Sequence, residues 1–313
     1  MMLARVADSL YWVGRYVERA EHVSRLADVM LNATLDRSNA ANQTARIALG
    51  ALGDTVTASE QNLYDAARVL ALDLEDSNSV RVTVAMAREN ARQVRDQITT
   101  EMWERLNMLY LRVTGESAGR TFDRGSSAFL HEVIADLHLF KGAADSTMSH
   151  GEGWRFLVLG MYIERAQLVA RLLKAAFGEG GLGGNDHVTL MNVLRMGCAL
   201  EPYLRTYTAE IEPRHILDFL LFGEDFPRSI RFSTARIEEH MAEIASHVAF
   251  AGRARPERLA GRLKARLEFT DLEELESTGA GALLTSVMGD CTRIHEAIYQ
   301  TFVAYPLEMR LPA

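Results

Sequence analysis

One helix-forming segment occurs twice in this chain. Gly14-Arg15-Tyr16-Val17-Glu18-Arg19-Ala20-Glu21-His22-Val23-Ser24-Arg25-Leu26 recurs as Gly160-Met161-Tyr162-Ile163-Glu164-Arg165-Ala166-Gln167-Leu168-Val169-Ala170-Arg171-Leu172, with Gly, Tyr, Glu, Arg, Ala, Val, Arg and Leu in register. A duplicated helix that cannot bury its apolar face alone restricts the fold to one in which repeated units pack on each other. Shorter matches follow in the same order: Ser79-Val80-Arg81 with Ser229-Ile230-Arg231, and Phe129-Leu130, Val133-Ile134 and Asp136 with Leu283-Leu284, Val287-Met288 and Asp290. The separation between partners grows along the chain, as short insertions between helices would make it. The expected architecture is an all-α helical bundle of two pseudo-symmetric multi-helix repeats, 1–150 and 151–313, packed as one globular unit.

Local signals agree with helix throughout. The first proline is Pro202, and the preceding stretch is rich in good helix formers. Period-two alternation is short and isolated, so no sheet is expected. Trp12, Tyr16, Val23, Leu26 and Met30 form one apolar stripe, and Val80, Val84, Ala87, Ala91, Val94 and Ile98 form another on a helix expected over 79–112. Thr57 or Ser59 is a candidate cap for a third helix. The glycine-rich segment 178–186 reads as a flexible turn, and Ala251 to Pro256 as a second soft segment. No Gly-Lys-Ser/Thr follows the glycines, so they are not a phosphate loop.

Bulk properties narrow the function classes. The net charge of −8 over 313 residues disfavours generic attraction to nucleic acid or anionic lipid. No run of ~20 apolar residues is present for a membrane span, and the start of the chain has no signal-peptide core. Two cysteines, Cys198 and Cys291, fit a reducing compartment without a disulfide framework, so a cytoplasmic protein is expected. Only Lys141, Lys174 and Lys264 among the 34 basic residues are lysines; arginine keeps its charge when buried and suits internal ion pairs.

The apolar stripe of the first helix passes through Arg19, and the equivalent row of its second copy passes through Arg165. A guanidinium in such a row needs a carboxylate, because an unpaired buried charge is costly. The adjacent Glu points about 100° away around the helix. Exchange between copies is therefore expected: Glu18 with Arg165 and Glu164 with Arg19, with Asp136 and Asp290 as alternative partners. Gly14 and Gly160, one turn earlier, suggest close approach of two backbones. The candidate charged core or pocket comprises Arg15, Glu18, Arg19, Glu21, Arg25, Glu164, Arg165 and Arg171. A cavity larger than ~300 Å³ lined by these residues would favour binding over a purely structural role.

Other clusters carry weaker signals. Arg88, Asn90 and Arg92, with Arg81 and Arg95 on the same side, are candidate anion-binding residues. Glu18, Glu21 and His22 have metal-competent spacing, but the second copy has Gln167 and Leu168 in place of Glu21 and His22, and no metal site is assigned. His131, Glu132, Asp136 and His138 read as a solvated face. His150 to Trp154 reads as a turn leading into the second copy of the helix. Zinc-type cysteine pairs, a nucleophile elbow and a dinucleotide fingerprint are missing, so no cofactor and no catalytic group is named.

Several motifs together resemble a known family. They are Ser9-Leu10-Tyr11-Trp12-Val13-Gly14-Arg15-Tyr16-Val17-Glu18-Arg19-Ala20-Glu21, then Asn90-Ala91-Arg92 with Glu101, Trp103, Leu106 and Asn107, then Asp225-Phe226-Pro227-Arg228-Ser229-Ile230. In this order they resemble the alpha-E family, bacterial helical proteins with a Glu-Arg motif helix. The resemblance implies no established activity. It implies a context: proteins of this kind occur beside, or fused to, ATP-grasp carboxylate–amine ligases of circularly permuted type. An accessory or substrate-binding role in a peptide- or amide-forming system is therefore expected, with an ATP-grasp ligase as partner and a peptide or amino acid as ligand. The alternatives are an enzyme acting on an acidic small molecule or peptide through the Glu-Arg cluster, and a carboxylate/His metal-binding bundle. Met161 replaces arginine at the slot of Arg15, so a ligand contact by Arg15 would belong to the first copy alone.

Overall fold

The computed structural model describes residues 2–34, 40–53, 62–178, 186–208, 210–246, 254–273, 275 and 279–304. Within them the chain is helical, without a strand. The elements are α1 (Ala4–Ala33), α2 (Ala40–Leu52), α3 (Leu63–Leu72), α4 (Val80–Gln93), α5 (Thr100–Thr114), α6 (Ala118–Arg124) and α7 (Ser126–Thr147), then α8 (Glu152–Phe177), α9 (His187–Met196), α10 (Leu200–Tyr207), α11 (Pro213–Phe222), α12 (Ile230–Ser246), α13 (Ala254–Phe269) and α14 (Ala280–Ile298). A short π-helical turn, Tyr299–Val303, ends the described chain. None of the described helices is long and apolar enough to cross a membrane.

The two copies of the Glu-Arg segment are α1 and α8, and they pack directly on each other at the centre. They run in the same direction: Met2 N donates to Glu152 near their starts (3.0 Å) and Arg19 Nε reaches Glu164 further along (2.6 Å). The crossing is at the glycines. A Cβ on Gly14 would lie 2.0 Å from the Leu157 carbonyl oxygen, and one on Gly160 would lie 2.1 Å from that of Tyr11. Backbone meets backbone there, which explains why both copies tolerate a mid-helix glycine.

Smaller helices wrap this pair. α3, α4 and α7 cover α1, while α12 and α14 cover α8, and α2 touches both. The apolar stripes read from the sequence point inward: Val80, Val84, Ala87, Ala91, Val94 and Ile98 are all buried. Trp12 and Tyr16 are only half-buried, whereas Tyr11 and Val13 are in the core, so the buried arc of α1 is wider than the stripe.

Helix boundaries correct the sequence reading in places. The helix expected over 79–112 is two helices. Thr99 caps α5 by accepting from the Met102 N–H (3.3 Å), and Val94 ends α4. Asn62 caps α3, accepting from the Tyr64 and Asp65 N–H groups; the proposed caps Thr57 and Ser59 lie outside the described residues. So do residues 179–185 of the glycine segment and 247–253, whereas Pro256 of the second soft segment falls in the first turn of α13. Ser79 and Ser229 play the same part at the starts of α4 and α12. Each serine hydroxyl donates to a backbone carbonyl six residues earlier and accepts from the N–H three residues later.

Candidate functional site

The Glu-Arg pairs are exchanged between α1 and α8. Arg165 grips Glu18 with both arms of its fork, Nε to Oε1 at 2.7 Å and Nη2 to Oε2 at 2.9 Å. Arg19 Nε donates to Glu164 Oε1 at 2.6 Å, and Arg15 Nε donates to Glu164 Oε2 at 2.6 Å. Asp136 and Asp290, the alternative partners, are engaged elsewhere: Arg112 holds Asp136 (3.0 Å) and Arg266 holds Asp290 (2.5 Å). His131, Glu132 and His138 are exposed, as a solvated face requires, whereas Asp136 turns inward. Asp136 is buried, His131 contacts Asp28, and His138 contacts Glu21.

The two carboxylates sit in unequal surroundings. Glu164 is bracketed by Arg15 and Arg19, and Arg15 also donates to Gln167 (2.8 Å) while lying over Trp12. Burial would raise the Glu164 pKa, but the two guanidinium groups hold it at about 2. Fully buried Glu18 lies beside Glu21 on α1, and cations crowd both. Lys141 of α7 bridges them, 2.5 Å from Glu18 Oε2 and 2.5 Å from Glu21 Oε2. Arg228, just before α12, reaches Glu21 and lies 3.4 Å from Glu18; Arg25 lies 3.3 Å from Glu21, and His138 Nε2 3.0 Å.

Four permanent cations (Arg25, Lys141, Arg165 and Arg228) thus share two carboxylates. Burial opposes ionisation of Glu18 and Glu21, and the surrounding charges reverse this and keep both far below the usual range. A carboxylate so firmly ionised is a poor proton acceptor at neutral pH. His22, wholly buried next to this cluster, is held neutral, with a pKa pushed down to about 4 by burial and by Arg228. Its Nε2 has no partner, and neither has the buried Nε of Arg25.

The cluster forms the floor of a cleft of about 700 Å³. Arg25, His138 and Arg228 line it from the floor, and Arg195 of α9 from the side. Arg195 is exposed, and its guanidinium donates to the buried Asn192 rather than to an acid (2.9 Å). Asp28 and Glu201 contribute negative charge; Val29, Ala33, Leu200 and Phe226 supply apolar wall. A second cleft of about 470 Å³ lies across the same network, lined by Lys141 and Arg165 together with Trp154, Tyr162, Phe232 and His240.

Of the residues named from sequence, the structure unites Glu18, Glu21, Arg25 and Arg165 in one cluster and Arg15, Arg19 and Glu164 in its neighbour. Arg171 is exposed and bonds to neither cluster, but it lies within reach of the Glu164, Arg19 and Arg15 charges, and partial burial pushes its pKa down. Arg88, Asn90 and Arg92 are each engaged by a different partner. Arg88 lies over Tyr110 and Trp103 and donates to Asn107, Arg92 pairs with Glu89, and the Asn90 amide donates to the Met86 carbonyl. Glu18, Glu21 and His22 do not form a metal site either; among the described residues no three His, Cys, Asp or Glu side chains converge for a metal ion. Sequence reasoning missed Lys141, Arg195, the role of Arg228 and the contact of solvent-facing His138 with Glu21, although Arg228 belongs to the Asp225–Ile230 motif and Lys141 is one of only three lysines.

A family model described as a predicted alpha-helical domain with a conserved ER motif matches residues 2–303. The chain belongs to the Alpha-E family. Its Glu-Arg pairs, Glu18-Arg19 and Glu164-Arg165, are those exchanged between α1 and α8. The chain is also 25% identical to an uncharacterized protein of Mycobacterium bovis and to two of Mycobacterium tuberculosis, over 94% of its own length. It spans about a third of the length of these relatives, 35%. No solved structure matches it.

Proposed function

We propose that this Alpha-E protein is an accessory, substrate-binding protein of an amide-forming system. In this reading it holds a carboxylate-bearing amino acid or peptide for an ATP-grasp carboxylate–amine ligase. The observation that carries the reading is the surplus of arginine over acid at the floor of the larger cleft. Arg25 and Arg228 share Glu21 with two other donors, and Arg195 pairs with no acid among the described residues. Convergent guanidinium groups in a concave, partly apolar site suit a carboxylate. The family resemblance supplies the ligase as partner. The chain is further read as two alpha-E-like units, 1–150 and 151–313, and the exchanged Glu-Arg pairs support that division.

An enzyme working through Glu18 and Glu164 is the weaker reading, since both carboxylates are tied to cations and neither is free to take a proton. The test is twofold. Calorimetry with N-acetyl-L-leucine, a simple carboxylate, should show binding that Arg228→Gln weakens. Co-purification with an ATP-grasp ligase encoded beside this chain should yield a complex. Absence of both binding and complex removes the proposal.

A further inference from the structure

The larger cleft is bipolar. Its floor is cationic, with Arg25 and Arg228 half-buried, while Glu201 near the start of α10 is exposed and has no cation bound to it. Asp28, the other acid of the cleft, already accepts from Ser127 (2.6 Å) and contacts His131 (2.9 Å). Among the described residues, Arg195 and Glu201 therefore offer one unpaired charge of each sign on the α9–α10 side, and Arg25 adds a buried N–H without a partner. Val29, Ala33, Leu200 and Phe226 line the same cleft with apolar surface.

We infer that the cleft recognises an unblocked amino acid or short peptide by both of its charges, the carboxylate at Arg25 and Arg195 and the ammonium at Glu201. This rests on the proposed function and narrows it. A carboxylate gripped by half-buried Arg25 as well as Arg195 is held by two cations, whereas an ammonium beside exposed Glu201 has one partner and can shed its proton to solvent. Of the two groups that an amide bond requires, the bound molecule can offer only its amine. The ligand is thus the amine-side substrate, not the acid to be activated. An apolar side chain is accommodated by the aliphatic and aromatic wall. A second acidic group is not, because Glu201 and Asp28 repel it.

The test is calorimetric titration of the full chain with L-leucine, N-acetyl-L-leucine and L-leucinamide. L-Leucine should bind about tenfold or more tightly than either blocked form, the scale of one lost charge-assisted hydrogen bond. Glu201→Gln should abolish the preference over N-acetyl-L-leucine, and Arg195→Gln the preference over L-leucinamide; both side chains are exposed, and an unchanged melting temperature confirms folding. Equal binding of L-leucine and N-acetyl-L-leucine, or a preference untouched by Glu201→Gln, overturns the inference while leaving carboxylate binding intact. No binding of any probe at millimolar concentration overturns the inference and the proposed carboxylate site together.

Discussion

Arg165 of α8 closes a two-armed fork on Glu18 of α1, with a third guanidinium nitrogen on the Pro227 carbonyl (2.9 Å). One side chain thus ties the two central helices to the segment that delivers Arg228 to the cleft. Lysine has the charge of arginine but not the fork, so it can replace neither the two-armed grip nor the Pro227 contact at once. Arg165→Lys is expected to lower stability by about 1.5–3 kcal/mol, the range for a lost hydrogen bond to a charged group. It should also weaken ligand binding in the cleft by loosening Arg228. Chemical denaturation and calorimetry on the same variant read the two effects separately.

Glu164 has two arginines, and their roles differ in depth. Arg15 is 7% exposed at its side chain and Arg19 22%. Removing Arg19 leaves Arg15 in place, so Arg19→Met is expected to cost only about 1–2 kcal/mol, less than breaking an isolated buried pair. The double variant Arg15→Met/Arg19→Met leaves Glu164 buried and unpaired, and should cost about 3–5 kcal/mol or more. Adding Glu164→Gln to it should restore part of the loss. Urea unfolding of the series checks the order.

The glycine crossing makes a sharper demand. A methyl group on Gly14 or Gly160 cannot be absorbed by a side-chain rotation, because its neighbour is a backbone oxygen. The helices must separate, which also lengthens the Glu18–Arg165 and Glu164–Arg19 pairs. Gly14→Ala should therefore destabilise by more than ~3 kcal/mol, despite the gain in helix propensity of ~1 kcal/mol. Gly142, on exposed α7 surface with open space around its Cβ position, is the control; Gly142→Ala should be neutral or stabilising.

These features were unevenly legible in the sequence. The exchange of Glu-Arg pairs could be read because duplication and stripe spacing placed an arginine in each apolar row. The glycine contact followed from the same register. Lys141, His138 and Arg195 could not be read, since each reaches the site through packing of helices far apart in the chain, and no local spacing announces it. The surroundings of Arg88 were hidden for another reason. α5 packs on α4 beside it, so the Arg88 plane lies on Trp103 and Tyr110, while Arg92 stays exposed and pairs with Glu89.

His22 predicts how stability depends on pH. Its pKa falls from the ordinary 6.5 to about 4 on folding, through burial and the nearby Arg228 charge. Between these values the unfolded chain binds a proton that the folded chain refuses, so stability must fall as pH drops. The loss begins near pH 6.5 and continues to about pH 4. Glu164, with its folded pKa of about 2, adds a second loss as pH falls below the usual carboxylate value of 4.5. Unfolding free energy should thus be level from pH 8 to 7 and drop by about 2 kcal/mol from His22 alone between pH 7 and 5. His22→Gln, which keeps a polar side chain but cannot be protonated, should shrink the pH 7 to 5 fall by about 2 kcal/mol without abolishing it, because burial pushes His240 and His295 down to about 4 as well, and should leave the steeper fall below pH 4.5. An unchanged slope in that variant would mean that His22 does not meet the Arg228 charge in a dry interior.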